Sequence, residues 1–242
     1  MKIAEVEERF NELPGFIRDI IFVVVVVGGV SLISQLALGL WTPMVAVESG
    51  SMVPNMNIGD IIIVQGASRT DIITWEEAEL LGTEEFNLPG DVILYRPYGK
   101  EKLTILDQLS HIFLRRPYPA DKATPIIHRA LKRVEKGETM WEGGPSAPFA
   151  GYITKGDHNN IIDQKAGMIV GRADETRPLS EQGSLMIVME NQTYIGEGIS
   201  YLTPVRDEWV IGVARVRIPY VGYVRLLPNL AIDWMKGLIW GS

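Results

Sequence analysis

Between Ile20 and Leu40 the chain is almost free of polar side chains: Val23 to Val27 are consecutive, and only Ser31, Ser34 and Gln35 break the apolar run. A helix needs roughly 20 apolar residues to cross the hydrocarbon core of a bilayer, so this pattern predicts a transmembrane anchor over 20–41. Trp41 then falls where an interfacial aromatic is expected. The mixed-charge segment 1–19, with Pro14-Gly15, reads as a short cytosolic leader. Lys2, Arg9 and Arg18 precede the span and no Lys or Arg follows until Arg69, which predicts a cytosolic N-terminus and a body on the outer face of the cell membrane, crossed once. A cleavable secretory signal is the alternative. The apolar run exceeds the length of such a signal's core, and no small-x-small exit precedes Trp41-Thr42-Pro43.

Beyond the anchor the period changes to that of strands. Met44 to Val47, Ile61 to Val64, Asp91 to Tyr95, Ile126 to Leu131, Gly151 to Thr154, Leu185 to Met189 and Trp209 to Ile218 are β-branched or alternating, with turn residues between them. The expected fold is therefore mainly β, a β-rich body over 42–225 behind one N-terminal transmembrane helix. One exception is Trp75 to Gly82, a short helix that Thr74 would cap, with Glu76, Glu77 and Glu79 near its positive end. Stretches near 99–121 and 172–201 read as insertions. The tail 226–242 is apolar but carries Pro228, Asn229, Asp233 and Lys236, too interrupted for a second span; an interfacial helix and a core helix both fit it.

Charge and composition narrow the chemistry. A net charge of -7 without a concentrated Lys/Arg surface argues against nucleic acid as a partner. With no Cys, thiolate metal sites, disulfides and a cysteine nucleophile are all excluded, so a nucleophile must be oxygen or nitrogen. No cofactor or metal pattern is legible. The acidic spacing between Asp157 and Asp163 lacks the calcium-loop pattern.

Three segments carry candidate chemistry. In Glu48-Ser49-Gly50-Ser51-Met52-Val53-Pro54, Ser51 sits in a turn that Gly50 and Pro54 shape, and read alone this is only a polar turn. In Ile126-Ile127-His128-Arg129-Ala130, one His stands inside an apolar strand, either a core histidine satisfied by a carbonyl or the base that a Ser hydroxyl needs. The loop Lys155-Gly156-Asp157-His158-Asn159-Asn160-Ile161-Ile162-Asp163 offers two carboxylates, Asp163 and Asp157, either of which could orient that imidazole. His158 would hydrogen-bond within its loop, and His111 is read as structural or exposed. Val45, Val47 and Met52 are candidate linings for shallow apolar substrate pockets. An extended substrate would add to the strand containing Val45.

Together Ser51-Met52-Val53-Pro54, Gly90-Asp91-Val92-Ile93, Ile127-His128-Arg129, Lys155-Gly156-Asp157 with Asp163, and Trp209-Val210-Ile211-Gly212 leading to Ile218-Pro219-Tyr220 resemble the ordered blocks of type I signal peptidases. Bacterial members carry a Lys before the Arg of the third block and use a Ser/Lys dyad. His128 stands there in this chain, which resembles the archaeal and endoplasmic-reticulum branch. The resemblance implies a signal-peptidase-like β-sheet body, Ser51 as nucleophile, His128 as base, and Asp163, ahead of Asp157, as supporting acid. It also implies removal of signal peptides from preproteins beside the lipid bilayer and the protein-export channel. Lys132 does not match the position of the bacterial Lys. A noncatalytic, membrane-anchored β-domain that binds exported chains is the alternative.

Overall fold

The fold was analysed from a computed structural model, which describes residues 13–104, 106–107, 110, 114, 119, 121–174, 176, 185–189 and 192–223. His111 and the tail 226–242 lie outside the described residues, as does part of the stretch 99–121. The chain divides into two compact units, Met1–Pro43 and Met44–Ser242.

The first unit holds helix α1, Gly15–Leu38. It starts five residues before the apolar run, so Arg18 and Asp19 belong to its first turns rather than to a preceding leader. Gly39, in the left-handed region at φ +73, ends it and donates its N–H to Gln35 O. The 24 residues give a length of about 36 Å, enough for a hydrocarbon core of roughly 30 Å. Its apolar side chains lie on every side, with Phe22, Val23, Val25 and Ile33 all more than half exposed. A helix apolar all round is one that membrane lipid can solvate. This is one N-terminal helix long and apolar enough to span a membrane.

The second unit is mainly β. In chain order its strands are β1 Met44–Ala46, β2 Ile61–Gly66, β3 Glu84–Glu85, β4 Leu88–Pro89, β5 Val92–Tyr95, β6 Glu101–Lys102, β7 Lys122–Ala123, β8 Ile126–Val134, β9 Gly151–Lys155, β10 Gly167–Arg172, β11 Leu185–Met189, β12 Gln192–Gly198 and β13 Val210–Ile218. Each of the seven apolar runs singled out in the sequence contains a strand. Of the six others, β3, β4, β6 and β7 are two-residue pairings that leave no periodic signal, β10 is exposed along its whole length, and β12 lies within the stretch 172–201 read as an insertion. Helix α2, Trp75–Leu81, has the expected cap and a complete capping box: Thr74 Oγ1 accepts the Glu77 N–H, and Glu77 accepts the Thr74 N–H.

Six strands form one antiparallel sheet in the order β1-β2-β13-β5-β8-β9. Laid flat, its two edges would stand about 24 Å apart, five strand spacings. Yet the His158 N–H, just past β9, donates to Ser51 O, just past β1, over 2.8 Å. The excursion after β1 and the loop after β9 thus bring residues from the two ends of the strand order into contact. One face buries Ile93, Tyr95, Ala130, Tyr152, Val205, Val210 and Val213; a smaller core holds Val134, Met140, Ala147 and Ile153. β10, β12 and β11 make a separate three-stranded sheet, which starts at Gly167 and overlaps the stretch 172–201.

Candidate active site

Local chemistry fixes the segment that carries Ser51. Between β1 and β2 the chain leaves the sheet after Val47 and rejoins it at Gly59, where the Gly59 N–H donates to Val47 O and the Val47 N–H to Asp60 O. Gly59 has φ +87 and faces the Tyr223 ring so closely that no Cβ would fit. Within the excursion Met52 and Met56 are fully buried, anchoring the loop by their side chains. Buried Asp60 accepts the Asn57 N–H, and Arg217 donates to Asn55 O over 2.7 Å. Ser51, at the turn that opens this excursion, stays partly exposed.

His128 comes from β8. It pairs with Ile93 of β5, so its side chain points to the face that buries Ile93, Tyr95 and Ala130. Only 4% of His128 is exposed. A register shift between Ala130 and Lys132 makes Leu131 an extra residue, which reverses the parity of the strand beyond it. Lys132 consequently pairs with Ile153, on the opposite face from His128, and its ammonium donates to Thr139 O over 3.3 Å. Without that bulge, Lys132 would share the His128 face.

The turn after β9 supplies the carboxylate. The Asp163 N–H donates to Thr154 O over 2.9 Å, folding the segment back onto the strand end, and Asp163 is 1% exposed. The result is one line of contacts: Ser51 Oγ lies 3.0 Å from His128 Nε2, and His128 Nδ1 lies 2.7 Å from Asp163 Oδ2. Thr154 Oγ1 and the Tyr95 hydroxyl donate to that same Oδ2 over 2.7 and 3.0 Å. Burial first, and the charge of Asp163 second, push the ionisation of Tyr95 well above its ordinary value, so this hydroxyl keeps its hydrogen.

Asp157 has a different position. It does not touch His128; its two oxygens receive Arg129 Nε and Nη2, each over 2.8 Å, and one of them also accepts from Asn55 Nδ2. Of the two acids that the sequence left open, Asp163 is the one on the imidazole. The His158 side chain is exposed, and its contribution here is the backbone N–H on Ser51 O. Gly156 is enclosed: a Cβ there would come 2.6 Å from Ser51 O and 3.0 Å from His128 Nε2.

The three residues expected to line substrate pockets divide. Met52 is 0% exposed, with its sulfur accepting the Asp157 N–H, and Val47 is 2% exposed, so both serve as core. Val45 is half-buried on β1, an edge strand whose outer side pairs with no other strand among the described residues. Residues that the sequence reading did not single out are Tyr95, Thr154, Gln164 and Ser49, the last with its hydroxyl 3.3 Å from Ser51 Oγ. Tyr95 and Thr154 each ended a recognised strand. Nothing local distinguishes a hydroxyl that meets a distant carboxylate from one that meets solvent.

A hydroxyl, an imidazole and a buried carboxylate in hydrogen-bonded sequence can move a proton off the hydroxyl as it attacks an electrophilic carbon. Among the described residues no cluster of His and carboxylates suited to a metal occurs. The chain matches no family model and no curated protein sequence.

Proposed function

We propose that this chain is a membrane-anchored serine endopeptidase of the archaeal and endoplasmic-reticulum signal peptidase type, which removes signal peptides from exported preproteins. One observation carries the reading: Ser51 Oγ, His128 Nε2, His128 Nδ1 and Asp163 Oδ2 follow one another at hydrogen-bond distances, although the three residues are 77 and 35 positions apart in the chain. A serine in a polar turn and a histidine in a core have no structural need of each other. Their convergence beside a partly exposed hydroxyl supports catalysis over turn formation.

In the first half of the reaction Ser51 Oγ attacks the scissile carbonyl carbon while His128 Nε2 takes its hydrogen. The C–N bond breaks as His128 passes that hydrogen to the leaving amine, and the acyl group stays on Ser51 as an ester. Water then enters, again losing a hydrogen to His128, and the acid is released with Ser51 restored. Asp163 keeps its charge beside the imidazolium throughout. The Ser51 N–H and the Ser49 hydroxyl, 3.3 Å from Ser51 Oγ, are the donors proposed for the carbonyl oxygen as it gains charge; one such donor contributes about 10²–10³ in turnover.

Substrate selection follows from the edge of β1. An extended segment can add there as a further strand, with main-chain hydrogen bonds for affinity and small residues fitting beside Val45. The anchor argues for a substrate that also begins in a bilayer, since an exported chain leaves the membrane beside its own apolar signal. Under this reading α1 crosses the cell membrane once, with the N-terminus cytosolic and the body outside, and the export channel is a neighbour.

The test is a purified preprotein mixed with the full chain in detergent micelles, followed by mass spectrometry of the products. Cleavage at one site after the apolar signal, lost in Ser51→Ala and His128→Ala and kept in Lys132→Ala, supports the proposal. Binding without cleavage by the wild-type chain overturns it in favour of a noncatalytic binder of exported chains.

A further inference from the structure

Behind Asp163 lies a set of buried polar groups whose hydrogens can be assigned one after another. The Thr154 N–H can only donate, and it points at Gln164 Oε1 over 3.1 Å. That contact fixes which end of the Gln164 amide is oxygen. Its NH₂ then faces Tyr152 O, which can only accept, and Thr154 Oγ1, each at 3.4 Å. Gln164 is 0% exposed, so bulk solvent does not reach these positions.

Thr154 Oγ1 thus receives a hydrogen from Gln164, and its own single hydrogen is free for another acceptor. Asp163 Oδ2 takes it at 2.7 Å. Tyr95, also with one hydrogen, lies 3.0 Å from the same oxygen and 3.4 Å from Thr154 Oγ1. The shorter contact, to the carboxylate oxygen, takes that hydrogen. With two hydroxyl hydrogens already aimed at Oδ2, a proton on that oxygen would meet both of them. Oδ2 therefore carries no proton, and His128 Nδ1 at 2.7 Å must bring a hydrogen of its own. Nε2 is left with a lone pair, 3.0 Å from Ser51 Oγ.

We propose that Gln164, Thr154 and Tyr95 are positioning residues that set the direction of the hydrogens through Asp163, and so hold His128 in the tautomer whose bare Nε2 faces Ser51. The groups packed around Asp163 from other elements are His128 on β8, Tyr95 on β5, Thr154 on β9 and, at longer range, Tyr98, whose ionisation burial pushes up and the Asp163 charge raises further. All except His128 are uncharged donors at neutral pH. The kinetic consequence rests on the peptidase reading; the tautomer does not.

The experiment uses the full chain in detergent micelles with ¹⁵N-labelled histidine. The sequence holds 3 His in all, and His128→Gln identifies the resonances of the one in question. At a pH where the imidazole is neutral, the two ring nitrogens report which carries the hydrogen. The wild type is expected to show hydrogen on Nδ1 alone. Tyr95→Phe combined with Thr154→Val should place hydrogen on Nε2 in a measurable fraction of molecules and lower kcat on a preprotein about a hundredfold with KM unchanged, while Thr154→Ser keeps both properties. A double variant with the wild-type tautomer and wild-type kcat overturns the proposal, as does a Thr154→Ser chain as impaired as Thr154→Val. Should the double variant not fold, Tyr95→Phe alone removes a single oxygen and is read the same way, with about a tenfold loss expected. A wild-type chain with hydrogen on Nδ1 but no cleavage refutes the peptidase reading and leaves the positioning intact; a wild-type chain that cleaves with hydrogen on Nε2 does the reverse.

Discussion

Arg129 and Asp157 form a two-pronged ion pair, Nε to Oδ1 and Nη2 to Oδ2 at 2.8 Å each, with their side chains 1% and 3% exposed. Arg129 follows His128 in β8, Asp157 follows Gly156 in the loop after β9, and Asn55, which donates to Asp157, lies in the Ser51 excursion. The pair therefore ties together the three segments that supply the site. Arg129 Nη1 also donates to the carbonyls of Glu85 and Leu88, which attaches the β3–β4 hairpin.

Removing one partner leaves the other charge buried. Asp157→Ala is expected to destabilise the second unit by about 3–5 kcal/mol, whereas Arg129→Met with Asp157→Ala costs less than the sum of the single changes. Denaturant midpoints of the four chains in one detergent check this. A strictly additive double variant would show that the two side chains are not coupled.

Gly156 predicts a steric effect on the same site. Its φ is ordinary, so Gly156→Ala is not opposed by backbone conformation; the added methyl instead meets Ser51 O and His128 Nε2 at 2.6 and 3.0 Å. Shifting either group by about 1 Å is expected to lower preprotein cleavage roughly a hundredfold. Stability should change far less than for Asp157→Ala. Wild-type turnover in Gly156→Ala would contradict the close packing described here.

The proposed acid, base and nucleophile predict a graded series. Ser51→Ala and His128→Ala each abolish cleavage, by about 10⁶, and their combination costs little more, because the residues act as a unit. Asp163→Asn lowers kcat by about 10⁴ with KM little changed, since the amide presents the imidazole with a donor in place of an acceptor. Lys132→Ala stays within twofold of wild type. Initial rates on one preprotein separate these cases, and a Lys132→Ala chain as inactive as Ser51→Ala would place the base elsewhere.

Tyr95 predicts how stability responds to alkali. Its ordinary value is 10.0, and folding raises it, chiefly by burial and then by the charge of Asp163. Below the ordinary value both states keep the hydrogen and the contribution of Tyr95 is complete. As pH rises past 10.0 the unfolded chain ionises first, so the native state loses stability until the folded value is passed. Wild type should lose stability more steeply than Tyr95→Phe between about pH 9 and about pH 11. Parallel curves for the two chains would show that this hydroxyl titrates alike in both states.

Much of this protein was legible in its sequence, where the physical signal is local. A run of 21 residues broken only by Ser31, Ser34 and Gln35 makes a membrane-capable helix whatever follows it, and the β-branched openings of Ile61–Gly66 and Ile126–Val134 favour strands. Thr74 and Glu77, three residues apart, cap their own helix. Residue type and turn chemistry offered Ser51, His128, Asp157 and Asp163 only as candidates, and it was the resemblance to type I signal peptidases that implied their roles. What only the tertiary structure decided depends on strands far apart in the chain. Which acid meets His128 follows from where the loop after β9 folds back on Thr154, and which face Lys132 takes follows from one extra residue at Leu131. That Met52 and Val47 are core follows from how the Ser51 excursion packs, and that Tyr95 and Thr154 meet at Asp163, with Gln164 on Thr154, follows from the pairing of β5, β8 and β9. Side-chain period and capping are set within a few residues, whereas register, bulges and closure are set by partners that no local pattern specifies.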